Sequence, residues 1–70
     1  MTEVKAELVG SVWKVEAKPG DQVEEDDVLM ILESMKMEIP VTAPVAGTVK
    51  EIRVKEADVV KEGQVLAILE

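Results

Sequence analysis

The chain has 70 residues, with 15 acidic and 8 basic side chains and a net charge of −7. It contains no cysteine and no histidine, which excludes a disulfide framework, a thiolate metal site and the usual general base. The length suits one domain with a small core, and the negative charge opposes binding to nucleic acid or to an anionic membrane surface. We therefore expect a single domain over residues 1–70 that binds neither.

Short apolar runs separated by turn signals predict an all-β chain. Propensity alone favours a helix over residues 24–38, where Glu, Leu, Met and Lys are frequent. A related run, VLAILE, follows Gly63 and is too short for a stable helix, so both runs are interpreted as strands. In chain order the predicted strands are Val4–Leu8, Ser11–Ala17, Gln22–Val23, Val28–Ser34, Met37–Thr42, Thr48–Lys55, Val59–Val60 and Gln64–Leu69.

Residues 10–33 recur as residues 47–70. The two segments align without a gap and are identical at 11 of 24 positions. Each copy is one supersecondary unit that cannot bury its apolar face alone, so we expect two sheets packed face to face about a pseudo-twofold axis. The expected core residues are Val15, Ala17, Val23, Val28, Ile31, Ile52, Val54, Val60, Val65 and Ile68.

The turn residues also recur. Residues 18–21, with proline and glycine in the middle, suit a type II turn, and the matching turn carries Ala57 in place of the glycine. A left-handed backbone at Ala57 costs about 1 kcal/mol. Pro40 lies within a predicted strand, which confines it to the edge of a sheet or to a position where the backbone N–H would face away from a neighbouring strand. Trp13 aligns with Lys50, so we expect it to be half buried and to pack across the end of the sandwich.

The segment Ser34–Met37 is predicted to form a β-hairpin tip between the two copies. A two-residue turn centred on Met35 and Lys36 is unfavourable, since such turns usually contain Asn-Gly or Gly-X. Local rules are broken most often where function demands it. The alternative is that the methionines are core residues and Lys36 is a solvated charge. The position of Lys36 at the midpoint of the duplication, with no other candidate reactive group, favours an attachment point.

Three sequence segments resemble the biotinyl/lipoyl attachment domain family. They are ESMKME at 33–38, VTAPVAGTV at 41–49, and a D-x-V-x-E pattern followed by V-L in both copies. The similarity is greatest to small free-standing biotin/lipoyl attachment proteins and to biotin carboxyl carrier domains of acyl-CoA carboxylases. It implies a flattened β-barrel or sandwich of two four-stranded antiparallel sheets. It also implies covalent biotin on Lys36, with Met35 and Met37 flanking the attachment site.

The residues next to the lysine distinguish two branches of this family. Lipoyl domains usually have D-K-A at the tip, whereas Met35-Lys36-Met37 resembles the biotinyl branch, so biotin is the expected cofactor and lipoate the alternative. Glu33 has two interpretations. It aligns with Glu70 and so fits a simple strand-end charge, but the family resemblance implies a role in orienting the tip for the modifying ligase.

The N-terminus lacks a basic flank followed by an apolar stretch, so a cytoplasmic location is expected. The resemblance implies a non-catalytic carrier, and we expect it to be monomeric in isolation. Its implied partners are a biotin protein ligase and the biotin carboxylase and carboxyltransferase of a biotin-dependent carboxylase. No catalytic residue or metal ligand is expected. The acidic run at residues 24–27 either steers the domain to basic partners or simply solvates the surface. Two alternative functions remain: a lipoyl carrier of a 2-oxo acid dehydrogenase, and an unmodified β-sandwich that acts as an interaction module.

Overall fold

Two four-stranded antiparallel sheets make up the computed structural model, which describes all 70 residues. One sheet has the order β1-β8-β6-β3 and the other β5-β4-β2-β7. None of the elements is a helix that could span a membrane. The all-β fold predicted from the sequence is confirmed. The strands are β1 (Thr2–Lys5), β2 (Gly10–Val15), β3 (Gln22–Val23), β4 (Val28–Ser34), β5 (Met37–Thr42), β6 (Gly47–Ile52), β7 (Val59–Val60) and β8 (Val65–Leu69).

Backbone hydrogen bonds recur between the two copies and relate the two sheets. Gly20 N–H donates to Val49 O at 2.8 Å, and Ala57 N–H donates to Val12 O at 2.8 Å. Exchanging the copies converts one sheet order into the other, with β1 taking the place of β5. The relation therefore continues outside residues 10–33 and 47–70.

The first strand and the strand after the hairpin tip are also equivalent. Ala6 accepts a hydrogen bond from Gly63 N–H at 2.8 Å, and Ala43 accepts one from Asp26 N–H at 2.8 Å. The two bonds are equivalent, because Ala6 aligns with Ala43 and Asp26 aligns with Gly63 when the copies are superposed in sequence. Only Ser34–Met37 then lies between the equivalent segments 1–33 and 38–70, so the hairpin tip is the part of the chain with no internal counterpart.

The core contains 14 buried residues, all of them apolar. Ala17, Val54 and Val60 are buried as predicted, and Val15, Val23 and Ile52 pack against the core while partly buried. The remaining expectations are wrong: Val28 is 43% exposed, and Ile31, Val65 and Ile68 are only half buried. The largest fully buried side chains are Val60 and six that were not predicted: Leu29, Met30, Leu32, Val49, Leu66 and Leu69.

β-Bulges account for this difference. In β4 the pairing passes from Val28 to Met30, which leaves Leu29 as an extra residue, and in β8 Leu66 is skipped in the same way. A bulge interrupts the alternation of inward and outward side chains. Leu29 and Met30 consequently both point into the core.

The tight turns have the conformation that their residues predict. Gly20 and Ala57 both have positive φ, +96° and +76°. Each turn is closed by a backbone N–H of Asp21 or Asp58 donating to the carbonyl three residues earlier at 3.1 Å. The carboxylates of Asp21 and Asp58 also accept hydrogen bonds from the backbone N–H groups of Lys18 and Lys55, at 3.1 and 3.0 Å respectively.

Pro40 and Trp13 occupy irregular positions in their sheet. Pro40 lies in β5, which is an edge strand, as its missing N–H requires. Trp13 lies in a bulge of β2, where the pairing with β4 shifts between Val12 and Lys14. Its side chain is 49% exposed, in agreement with the half-burial predicted for it.

Candidate functional site

The hairpin between β4 and β5 ends in a two-residue turn at Met35 and Lys36. Ser34 pairs with Met37, so only Met35 and Lys36 lie between the paired ends of the two strands. Both have positive φ, 52° at Met35 and 64° at Lys36. This is the backbone signature of a type I′ turn, which usually requires Asn-Gly. A non-glycine residue in this region costs roughly 1 kcal/mol. Met35 and Lys36 are therefore unfavourable residues for the backbone conformation that they adopt.

The three side chains of the tip are directed into solvent. Met35 is 89% exposed and Met37 is 60% exposed. Lys36 is also exposed, and its Nζ takes part in no ion pair and no hydrogen bond. The interpretation of the methionines as core residues is therefore wrong. A free amine at the end of a paired hairpin can enter the active site of another protein.

Gly10 supports the base of the tip from the neighbouring strand β2. A Cβ atom at this position would lie 2.8 Å from Glu33 O and 3.4 Å from the Ser34 Cβ. The end of β4 therefore packs directly against the β2 backbone. No motif in the sequence marks Gly10 as a residue of the site, and its identity with Gly47 in the other copy is the one signal that could have found it.

Two acidic residues face each other at the base of the tip. Glu33 and Glu38 are directly opposite in the β4–β5 ladder, and both are exposed. Like charges in this arrangement are destabilising. Neither carboxylate forms an ion pair. The site thus presents one amine beside two unpaired carboxylates.

Outside the tip, the acidic side chains are not gathered into a cluster that could hold a metal ion. No group of three or more acidic, cysteine or histidine side chains is placed to hold a metal ion, and the core contains no polar side chain. A groove of about 640 Å³ lies between the edge strands β1 and β5 and is lined by Val4, Ile39 and Pro44 among others. Lys36 is not part of that groove.

Nearly the whole chain matches a known protein family. The family described as "Biotin-requiring enzyme" matches residues 2–69. The chain belongs to this biotinyl/lipoyl family. The resemblance predicted from the sequence is thereby confirmed over nearly the whole chain.

Curated members of the biotinyl/lipoyl family are similar over part of their length. The "Biotinylated protein TB7.3 homolog" of Mycobacterium leprae is 58% identical over 43 residues, which is 61% of this chain and 61% of that protein. The "Biotin/lipoyl attachment protein" of Bacillus subtilis is 52% identical over 40 residues, 57% of this chain and 55% of that protein. The aligned region thus spans less than two thirds of either relative.

A solved structure in the family reproduces the fold over the full chain. Part of the Kluyveromyces lactis urea carboxylase matches 99% of this chain with a TM-score of 0.94 and 36% identity, although the match is only 6% of that enzyme. The biotinyl/lipoyl fold therefore occurs there as a small part of a much larger chain.

Proposed function

We propose that this protein is a carrier that bears biotin on Lys36. The observation that carries the proposal is the tip itself. An exposed lysine, free of any partner, occupies a strained two-residue turn between two exposed methionines in a chain of the biotin-requiring family. Strain at a position that the fold does not duplicate is explained by function.

Lys36 has the exposed amine that covalent attachment of biotin requires. By the family resemblance, a biotin protein ligase supplies the biotinyl group as its adenylate. The deprotonated Nζ of Lys36 forms an amide bond with the acyl carbon while AMP leaves, and the amine proton passes to a base. The chain itself holds Lys36 outward through the paired ends of β4 and β5. Met35 and Met37 provide flexible, polarizable side chains that suit an adaptable contact surface.

Glu33 has a role beyond that of a strand-end charge. Its placement opposite Glu38 works against stability, and no cation of the chain offsets it. Such a charge is best explained by an external partner. We assign Glu33 to recognition by the ligase, where a basic group of the enzyme would face it.

The exposure of Lys36 at the end of a paired hairpin supports the carrier role. Bound biotin supplies the site at which a carboxylate is held between two active sites. The proposed partners are a biotin carboxylase and a carboxyltransferase, and the long hairpin presents the tethered group to each. Tethering sets the effective concentration by the reach of the arm, typically in the mM range for short links.

A lipoyl carrier is the second candidate. The lipoyl domain of the 2-oxoglutarate dehydrogenase complex from Azotobacter vinelandii matches 89% of this chain, and 78% of that domain, with a TM-score of 0.74 and 32% identity. This similarity supports the shared fold. The methionines on both sides of Lys36 favour biotin, so lipoate is treated as an outcome of the same experiment.

The test is the intact mass of the chain after incubation with biotin, ATP and a biotin protein ligase. We expect the mass to increase by one biotinyl group, and the Lys36→Arg variant to gain none while its circular dichroism and thermal unfolding stay unchanged. A parallel sample receives lipoate, ATP and a lipoate ligase. Gain of lipoate alone would transfer the protein to the second candidate. No gain in a folded sample would leave an unmodified β-sandwich.

A further inference from the structure

The outer face of the lysine-bearing sheet carries two exposed apolar side chains close to the tip. Val59 in β7 is 70% exposed and Trp13 in β2 is 49% exposed. Val59 pairs with Ser11, which in turn pairs with Glu33. One row across the sheet therefore runs from Val59 to Glu33 and on to Glu38. We call Trp13, Val59, Glu33 and Glu38 the tip patch.

The internal duplication supplies a control for this patch. The positions equivalent to Trp13 and Val59 in the other copy are Lys50 and Gln22. They belong to strands with the same pairing, including the register shift at Lys50 that matches the one at Trp13. Since the same fold accepts Lys and Gln there, the fold does not require tryptophan and valine. The apolar pair is specific to the sheet that carries Lys36.

The tip patch is continuous with the hairpin. On the lysine-free sheet, the Nζ of Lys50 reaches across β8 and donates a hydrogen bond to the Sδ of Met1 at 3.1 Å. Met1 is the counterpart of Glu38. By the internal equivalence, the Trp13 position lies within one long side-chain length of the Glu38 position.

The patch lies within the area that an enzyme acting on Lys36 must cover. Neighbouring strands are about 4.8 Å apart and successive residues about 3.3 Å. Val59 is two strands from Glu33, so its backbone lies about 10 Å from the base of the tip. An interface of standard size covers about 800 Å² on each partner, a disc of roughly 16 Å radius. Val59 therefore falls inside such a disc centred on the tip. Trp13 lies one strand over and about four residues from Lys36, roughly 14 Å away, and so falls near the rim of the same disc.

We propose that the tip patch is the docking surface for the biotin protein ligase that modifies Lys36. This inference rests on the proposed function. The ligase fits better than a carboxylase because the unmodified lysine has only its four-carbon stem for reach, which forces close contact around the tip. A carboxylase meets a longer, biotin-bearing arm. The complementary ligase surface is an apolar depression for Trp13 and Val59, rimmed by basic groups opposite Glu33 and Glu38.

The test exchanges residues between the two copies. Trp13→Lys combined with Val59→Gln gives the lysine-bearing sheet the residues of its counterpart, and Lys50→Trp combined with Gln22→Val is the reciprocal control. We expect the first pair to raise the ligase KM for the chain about tenfold with kcat nearly unchanged, because a tryptophan that becomes buried in an interface often contributes much of the binding free energy. The control should leave both constants unchanged. Thermal unfolding of each variant, including the single substitutions, verifies folding.

Each result has a defined meaning. An unchanged KM in the folded Trp13→Lys/Val59→Gln variant would overturn the docking proposal while biotinylation of the parent still supports the carrier. A normal KM combined with slower carboxylation by the carboxylase would also overturn it, since the patch would then serve the other enzyme. A parent chain that accepts no biotin would remove the proposed function, and this inference with it.

Discussion

Four non-glycine residues have a left-handed backbone, and their positions separate structural need from function. Asp26 and Ala57 lie in turns whose counterparts in the other copy are Gly63 and Gly20. At these turns the fold needs positive φ and one copy supplies it with glycine. Met35 and Lys36 have no counterpart, and neither is a residue that favours this conformation. Met35 and Lys36 are thus the two strained residues whose conformation has no equivalent in the other copy.

Ala57 is therefore expected to make the fold less stable than a glycine at the same position would. Its φ is +76°, and the φ of its counterpart Gly20 is +96°. Ala57→Gly should raise the free energy of unfolding by about 0.5 kcal/mol, because the relief of left-handed strain, roughly 1–2 kcal/mol, is partly offset by the extra chain entropy of glycine, about 0.5–1 kcal/mol. Urea unfolding with an unchanged m value would measure this.

The matched control is the reverse change at the equivalent position. No atom lies within 4 Å of a Cβ placed on Gly20, so Gly20→Ala introduces backbone strain without a steric clash. We expect it to lower the free energy of unfolding by a similar amount. If Ala57→Gly destabilises the protein, the strain assigned to this turn is not real.

At the scale of elements, strand positions follow from the sequence more directly than strand faces do. Seven of the eight strands lie close to their predicted bounds because glycine and aspartate mark turns in both copies, whereas β1 spans Thr2–Lys5 and overlaps its predicted range, Val4–Leu8, at two residues only. The hairpin tip is also predictable, since the repeat defines its midpoint. The position of Lys36 on the tip therefore follows from the sequence alone.

The inward faces of β4 and β8 could not be predicted in this way. Both strands are continuous apolar runs, VLMIL and VLAIL, so hydrophobic alternation does not distinguish one register from the other. The bulges at Leu29 and Leu66 then reverse the alternation. A bulge depends on pairing with a distant strand, and the local sequence carries no signal for it.

The two glycines that begin equivalent strands should differ in their effect on function. A Cβ at Gly10 would lie 2.8 Å from Glu33 O, and one at Gly47 would lie 2.6 Å from Glu70 O. Both contacts are with backbone atoms, so Gly10→Ala and Gly47→Ala should each destabilise the fold by about 1–3 kcal/mol, as overpacking does. Urea unfolding of each variant measures this loss.

Only Gly10→Ala acts on the strand that carries the tip. It should also lower kcat/KM for biotinylation at a temperature where both variants are fully folded, because displacement of Glu33 moves the end of β4. Gly47→Ala is its control for stability alone. Equal kcat/KM in the two variants would show that β2 does not position the tip.

At the scale of the whole molecule, charge repulsion opposes folding. The net charge is −7 in a body of 31 × 17 × 17 Å. The three ion pairs, Glu3–Lys5, Lys14–Glu16 and Glu51–Arg53, are all exposed, with distances of 3.0–3.7 Å. Exposed pairs of this kind contribute little. Repulsion among unpaired carboxylates is consequently the larger electrostatic effect.

Salt should therefore stabilise this protein. At 0.01 M ionic strength the Debye length is about 30 Å, so charges interact across the whole molecule, whereas at 1 M it is about 3 Å. We expect the free energy of unfolding, measured by urea titration, to rise steadily with NaCl over this range. A fall with added salt would mean that the ion pairs contribute more than the repulsion.

Charge reversal at Glu25 sharpens this prediction. Glu25 is exposed and forms no ion pair and no side-chain hydrogen bond, so Glu25→Lys changes the net charge from −7 to −5 (−7 + 2) without removing a contact. The variant should be more stable than the parent in 0.01 M NaCl and equal to it in 1 M NaCl, because screening removes the difference. A stability gain that persists at high salt would trace to local structure around residue 25 instead of the overall charge.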